Sequence, residues 1–156
     1  MAERSGLDSR SREVKVAYWV MGLSLGYLIA AFLVPALLPT GTIPELSGRA
    51  NLFDYATDNS WGNQPHSDEG SVGHDQAAHG GKFSWLGLDP FSAFVYGFGD
   101  LNCHQKYERS WIINGNQMPV CTRDIGIFAG IAFAALLFSR RGANRGTIRD
   151  TILSVF

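Results

Sequence analysis

The chain has 156 residues, a net charge of −1, 46% hydrophobic residues and only 17% charged residues. Its length fits about one domain. The charge balance excludes a global bias toward nucleic acid, and two cysteines are too few for a disulfide-rich scaffold. The charges are segregated: two apolar blocks carry almost none, and the segments between them are polar. That distribution points to an all-α membrane protein, below the charge content of a typical soluble domain.

Residues 1–15 form a polar tail with Arg4, Arg10, Arg12 and Lys15 beside Glu3, Asp8 and Glu13. Residues 16–38 follow without a charge. At about 1.5 Å per residue this run crosses a hydrocarbon core of roughly 30 Å with some tilt. A secretory signal peptide is the competing reading, but its apolar core runs about 7–15 residues to a small-residue cleavage site. This run is longer and ends on Pro35 and Pro39, so a retained transmembrane helix is expected.

Residues 39–120 form a long polar segment. The stretch 57–82, rich in Asp, Asn, Ser, Gly and His, is expected to be a flexible loop, because it has too little apolar surface to offset the entropy of ordering. His66, His74 and His79 within it read as solvated spacers. Residues 90–96 predict a short interfacial helix, with Asp89 as its N-cap and Pro90 in its first turn. Phe91, Phe94 and Val95 would share its apolar face, and Gly97 and Gly99 would end it. Asn114-Gly115 is a tight-turn signal after the apolar patch Trp111-Ile112-Ile113.

Residues 119–138 are long enough for a second span, with Pro119 in the first turn. Arg123 and Asp124 then lie on its outer turn. An ionisable pair at that depth is a functional-site candidate, or an anion placed at a helix N-terminus with an Arg at headgroup level. The tail 139–156 carries Arg140, Arg141, Arg145 and Arg149 against Asp150 and ends in an apolar sextet. That sextet is expected to be an interfacial anchor or the start of a truncated third segment.

Both flanks are basic, whereas residues 39–120 hold Arg49, Lys82, Lys106 and Arg109 against nine acids. The positive-inside rule therefore predicts a multi-pass protein of the cell membrane with cytoplasmic termini and an extracytoplasmic 39–120 loop. Gly22, Gly26 and Ala30 recur every four residues, as do Gly126, Gly130 and Ala134. Small-residue faces of this kind let helices approach closely in lipid, so the two spans are expected to form an antiparallel hairpin. Packing against a second copy or another membrane protein uses the same faces.

Cys103 and Cys121 both fall outside, where a disulfide persists. Such a bridge would be worth roughly 3 kcal/mol by loop entropy. The competing reading gathers Cys103, His104, Cys121 and Asp124 into a zinc-type metal site, or uses the cysteines as reactive thiols. Glu108 and Arg109 are candidates for a charge network with Arg123 and Asp124. No nucleophile elbow, P-loop, dinucleotide fingerprint or HExxH motif is present in the sequence.

The run Phe98–Gly130 resembles an uncharacterised membrane-protein family, domain of unknown function 2085. The resemblance rests on Cys103, His104, Gln105, Arg109, Ser110, Gly115, Pro119, Val120, Cys121, Arg123, Gly126, Ile127 and Gly130. Many members carry Cys where Asp124 stands, so a four-thiol or dithiol mechanism does not transfer to this chain. The resemblance implies an integral membrane protein with its motif beside a helix, and it supplies no biochemical function.

Overall fold

A computed structural model describes residues 2–48, 52–64, 76 and 80–142. His66, His74 and His79, most of the 57–82 loop and the tail beyond 142 lie outside the described residues. The chain divides into two compact units, Met1–Gly26 with Ile127–Phe156, and Tyr27–Gly126. Three helices account for most of the ordered structure: α1 (Ala2–Leu37), α2 (Pro90–Asn102) and α3 (Thr122–Gly142). A two-stranded antiparallel sheet, β1 (Ile112–Ile113) and β2 (Asn116–Gln117), precedes α3.

Two helices are long and apolar enough to cross a membrane. Ser11–Leu37 has a mean hydropathy of 2.1, and Thr122–Arg140 has 1.5. In the first unit Ala17, Ala132, Ala135 and Ser139 are buried. Val16, Val20, Ile131 and Phe138 line an open groove of about 700 Å³, with Arg12 and Glu13 at one end.

The small-residue faces are open at their glycines. A Cβ added at Gly22, Gly26, Gly126 or Gly130 would meet nothing within 4 Å, so no close helix approach occurs at these glycines among the described residues. Ala134 lines the groove, and Ala30 is buried in the core of the other unit. Residue size marks a face as approachable but does not choose its neighbour.

The second unit is a folded cap built on the end of α1. Ala30, Val34, Ile43, Leu46, Tyr55, Phe83, Val95 and Tyr96 form one apolar cluster. Its irregular segments are held by buried side-chain amides rather than by regular backbone ladders. Asn116 Oδ1 accepts from the Ile43 N–H at 2.9 Å, while its Nδ2 donates to the Pro35 carbonyl at 3.0 Å. Gln117 Oε1 accepts from the Leu46 N–H at 2.7 Å, and Nε2 donates to the Gln105 carbonyl at 2.7 Å. Asn114, at φ +52°, donates from Nδ2 to the Leu38 carbonyl at 2.9 Å. The hairpin thus serves carbonyls at the C-terminus of α1, where a helix has no internal donors left. Gly115, at φ +72°, completes the tight turn that brings it there.

The described part of 57–82 shows the same device. Asn63 donates to the Thr57 and Phe83 carbonyls at 3.0 and 2.6 Å and accepts from the Phe83 N–H at 3.0 Å. Gln76 Oε1 accepts from the Ser47 N–H at 2.9 Å, and its Nε2 donates to the carbonyls of Glu45 and Gly81 at 2.8 and 3.0 Å. Composition predicted flexibility across 57–82, yet Asn63 and Gln76 are buried. Asp100 adds a carboxylate tie: Oδ2 accepts from Asp54 N–H, Tyr55 N–H and Trp85 Nε1–H at 3.1, 3.0 and 3.0 Å. Burial nevertheless pushes its carboxyl above the usual range, and burial likewise pushes the Tyr55 phenol up to about 12.

Helix α2 begins as read, with Asp89 Oδ1 accepting from the N–H groups of Phe91 and Ser92 at 3.1 and 3.2 Å. The Ser92 side chain first, and then those backbone bonds, hold the exposed Asp89 carboxyl below its usual range. The helix then runs through both glycines to Asn102 instead of stopping at them. Gly97 faces the Trp85 ring, which an added Cβ would meet at 3.2 Å. At Gly99 a Cβ would stand 2.2 Å from the Pro119 carbonyl oxygen. Both glycines are therefore close-approach residues rather than helix stops. Val95 turns into the core, while Phe91 and Phe94 stay exposed, so the expected single apolar face is split.

Two substitutions test this account. N116A strands the Ile43 N–H and the helix-end carbonyls and is expected to cost about 3 kcal/mol, read by denaturant unfolding of the detergent-solubilised chain. G99A is expected to lower the melting temperature well below that of G87A, because Gly87 has open space around its Cβ position.

Candidate functional site

The two cysteines reach one place by different routes. Cys103 caps the C-terminus of α2, donating its N–H to the Gly99 carbonyl at 2.8 Å. Gln105 then turns back at φ +45°. Its Nε2 donates to the Pro119 carbonyl at 2.9 Å and to the Tyr96 carbonyl at 3.3 Å, docking the segment before α3 against α2. Cys121 stands at the N-terminus of α3, where its carbonyl accepts from the N–H groups of Asp124 and Ile125 at 3.0 and 3.1 Å. The second span therefore begins as a helix at Thr122, not at Pro119.

Three acidic side chains converge there. One ligand atom from each of Cys103, Cys121 and Asp124 lies within 4.8 Å of the other two. Cys103 is fully buried, and Cys121 and Asp124 are 4% and 7% exposed. Cys103 Sγ accepts backbone N–H bonds from Gln105 at 3.4 Å and from Cys121 at 3.2 Å. Cys121 Sγ–H donates to Asp124 Oδ2 at 3.2 Å. On the outer side Arg123 Nε lies 3.7 Å from Asp124 Oδ1. Asp124 occupies the first turn of α3, where the helix dipole favours an anion.

Ala31, Met118 and Val120 are buried beside the cysteines, with Tyr27, Phe32, Ile113 and Ile125 around them. That apolar wall penalises the thiolate. Burial, followed by the neighbouring Asp124, pushes the Cys103 thiol well above its ordinary value. Both cysteines are present as free thiols.

His104, Arg109 and Ser110 are motif residues outside this cluster. His104 and Arg109 are exposed, and His104 is not among the converging groups. Ser110 Oγ donates to the Lys106 carbonyl at 3.0 Å, closing its own turn. The charge pairs run Lys106–Glu108 at 3.0 Å and Arg123–Asp124 at 3.7 Å. Gln105, a motif residue with no assigned chemistry, proves to be the clamp between the two halves of the site. Its Oε1 is buried without a hydrogen-bond partner among the described residues. Gly99, Tyr96 and Gln117 also hold the site and carried no signal in the sequence, since no motif or periodicity marks a contact made across the loop. Tyr96 donates from its hydroxyl to the Gln117 carbonyl at 2.6 Å.

The two long apolar helices are consistent with a membrane protein. Residues 103–156 match the family described as predicted membrane protein (DUF2085), the family that the Cys103–Gly130 motif resembles. No curated protein and no solved structure matches the chain.

The burial of the thiols leads to a direct expectation. In the folded, chelator-treated protein neither cysteine is modified by a maleimide, even at about pH 8.5, where an ordinary exposed thiol is substantially ionised. Both react after unfolding without reductant. Mass spectrometry of the labelled protein reads the two states.

Proposed function

We propose that this chain is a multi-pass protein of the cell membrane, with both termini cytoplasmic and residues 39–120 outside. In this reading the two spans form an antiparallel hairpin, and the outer cap has a structural or partner-binding role. The observation that carries it is the apolar surface left on the cap. Phe91 and Phe94 on α2, Trp111 and Ile112 at the hairpin, and Leu52, Phe53 and Leu86 are all exposed on this unit, as are Ile29, Leu33, Leu37 and Leu101. Large apolar side chains left exposed on a folded unit suit a lipid headgroup layer or a neighbouring protein. Gly22, Gly26, Gly126 and Gly130 support the same reading inside the bilayer, because open space at their Cβ positions suits approach by another helix.

Single added cysteines test the topology, since the native pair is buried. In intact cells a membrane-impermeant maleimide should modify Asp58→Cys and leave Ser11→Cys unmodified until the membrane is opened. The reverse pattern would overturn the orientation. A photo-crosslinking residue at position 94 should capture lipid or a second polypeptide, whereas one at position 58 should capture neither. Equal capture at both positions would remove the role assigned to the apolar surface.

A further inference from the structure

We propose that Cys103, Cys121 and Asp124 form a binding site for a divalent zinc-type ion. This goes beyond the topology above and does not depend on it, because the site lies wholly within the unit Tyr27–Gly126. Geometry is the first argument. With all three ligand atoms inside 4.8 Å of one another, some point lies no more than about 2.8 Å from each of them. Zinc–sulfur and zinc–oxygen bonds are about 2.3 and 2.0 Å, so a side-chain movement of under about 1 Å closes the set.

Chemistry is the second argument. Two sulfurs and a carboxylate select a borderline-soft ion over calcium or magnesium, which take oxygen ligands. Binding takes up M²⁺ and releases the two thiol protons, so two thiolates and one carboxylate surround the ion with a net charge of −1. The Arg123 guanidinium beside Asp124 brings the group to neutrality. The Cys121 S–H already points at Asp124 Oδ2, and loss of that one proton turns both atoms toward a shared cation.

The surroundings are the third argument. Cys103 Sγ receives two backbone N–H bonds, a support that strengthens when the sulfur becomes a thiolate ligand. Arg123 orients the carboxylate in the same way. Apolar residues enclose the sulfurs and keep water from competing. A disulfide would use the two sulfurs and leave the buried Asp124 carboxylate with no part. The ion instead ties the end of α2 to the first turn of α3 through all three groups. The fourth position of a tetrahedral ion falls outside these three side chains.

The test uses the full chain purified in detergent under reducing conditions. Zinc is measured by mass spectrometry, and the apo protein is titrated with cobalt(II). One equivalent of zinc and a near-ultraviolet thiolate-to-cobalt band are expected. C103A and C121A should abolish the band. D124N should keep it while weakening cobalt binding by more than about tenfold. H104A should match the wild type. Circular dichroism accompanies each variant. Should the cysteine variants fail to fold, the wild-type band and the D124N affinity decide the matter.

Two thiols that titrate on unfolding, without bound zinc or a cobalt band, would overturn the proposal. In a parallel sample purified without reductant, the absence of any titratable thiol on unfolding would overturn it in favour of a disulfide. Loss of the band in H104A would overturn the three-residue ligand set.

Discussion

The cap depends on one kind of interaction, the buried carboxamide that bonds to backbone on both its ends. Asn116 and Gln117 are adjacent in β2, and together they hold the Pro35 carbonyl, the Ile43 and Leu46 N–H groups and the Gln105 carbonyl. Among the described residues between α1 and α2 there are few regular elements, so those loops have no ladder of their own to satisfy their polar groups. A buried peptide group without a partner is costly. An amide with one donor end and one acceptor end satisfies two separate segments at once and fixes their spacing. Asn63 and Gln76 repeat this arrangement farther along the chain.

The cysteine cluster follows from that framework. Gln117 holds the Gln105 carbonyl, and Gln105 in turn holds the carbonyls of Tyr96 and Pro119. This chain of bonds lays the residues before α3 across α2 at Gly99, where no side chain fits. Cys121 is thereby brought beside Cys103 across a sequence separation of 18 residues. The same placement starts α3 at Thr122 and puts Asp124 in its first turn, facing the sulfurs.

The charged residues around the cysteines divide by exposure. Arg123 reaches Asp124 from the outer side, and His104 and Arg109 face outward. Cys103 and Cys121 sit inside an apolar wall, with the buried Asp124 beside them. A buried charge is costly unless it is paired, and the Asp124 carboxylate is paired with Arg123 and accepts from the Cys121 S–H.

Much of this was legible in the residues themselves. The two apolar runs, the Asp89 cap and the Asn114-Gly115 turn follow from local rules, since length, hydropathy and backbone preference act within a few neighbours. The motif Cys103–Gly130 marked the site region and the family that it resembles. Sequence spacing also suggested glycine-lined helix contacts, a helix ending at Gly97, and a four-member set that included His104. At each of these points the outcome was decided by what lies opposite. Trp85 and Pro119 face Gly97 and Gly99, open space faces Gly22 and Gly126, and His104 turns outward while Asp124 turns in. The sequence by itself determined where apolar helices form and which residue types flank the second one. The tertiary structure alone decided which side chains meet, because the amide clamps join segments up to 81 residues apart, far beyond the reach of any local pattern.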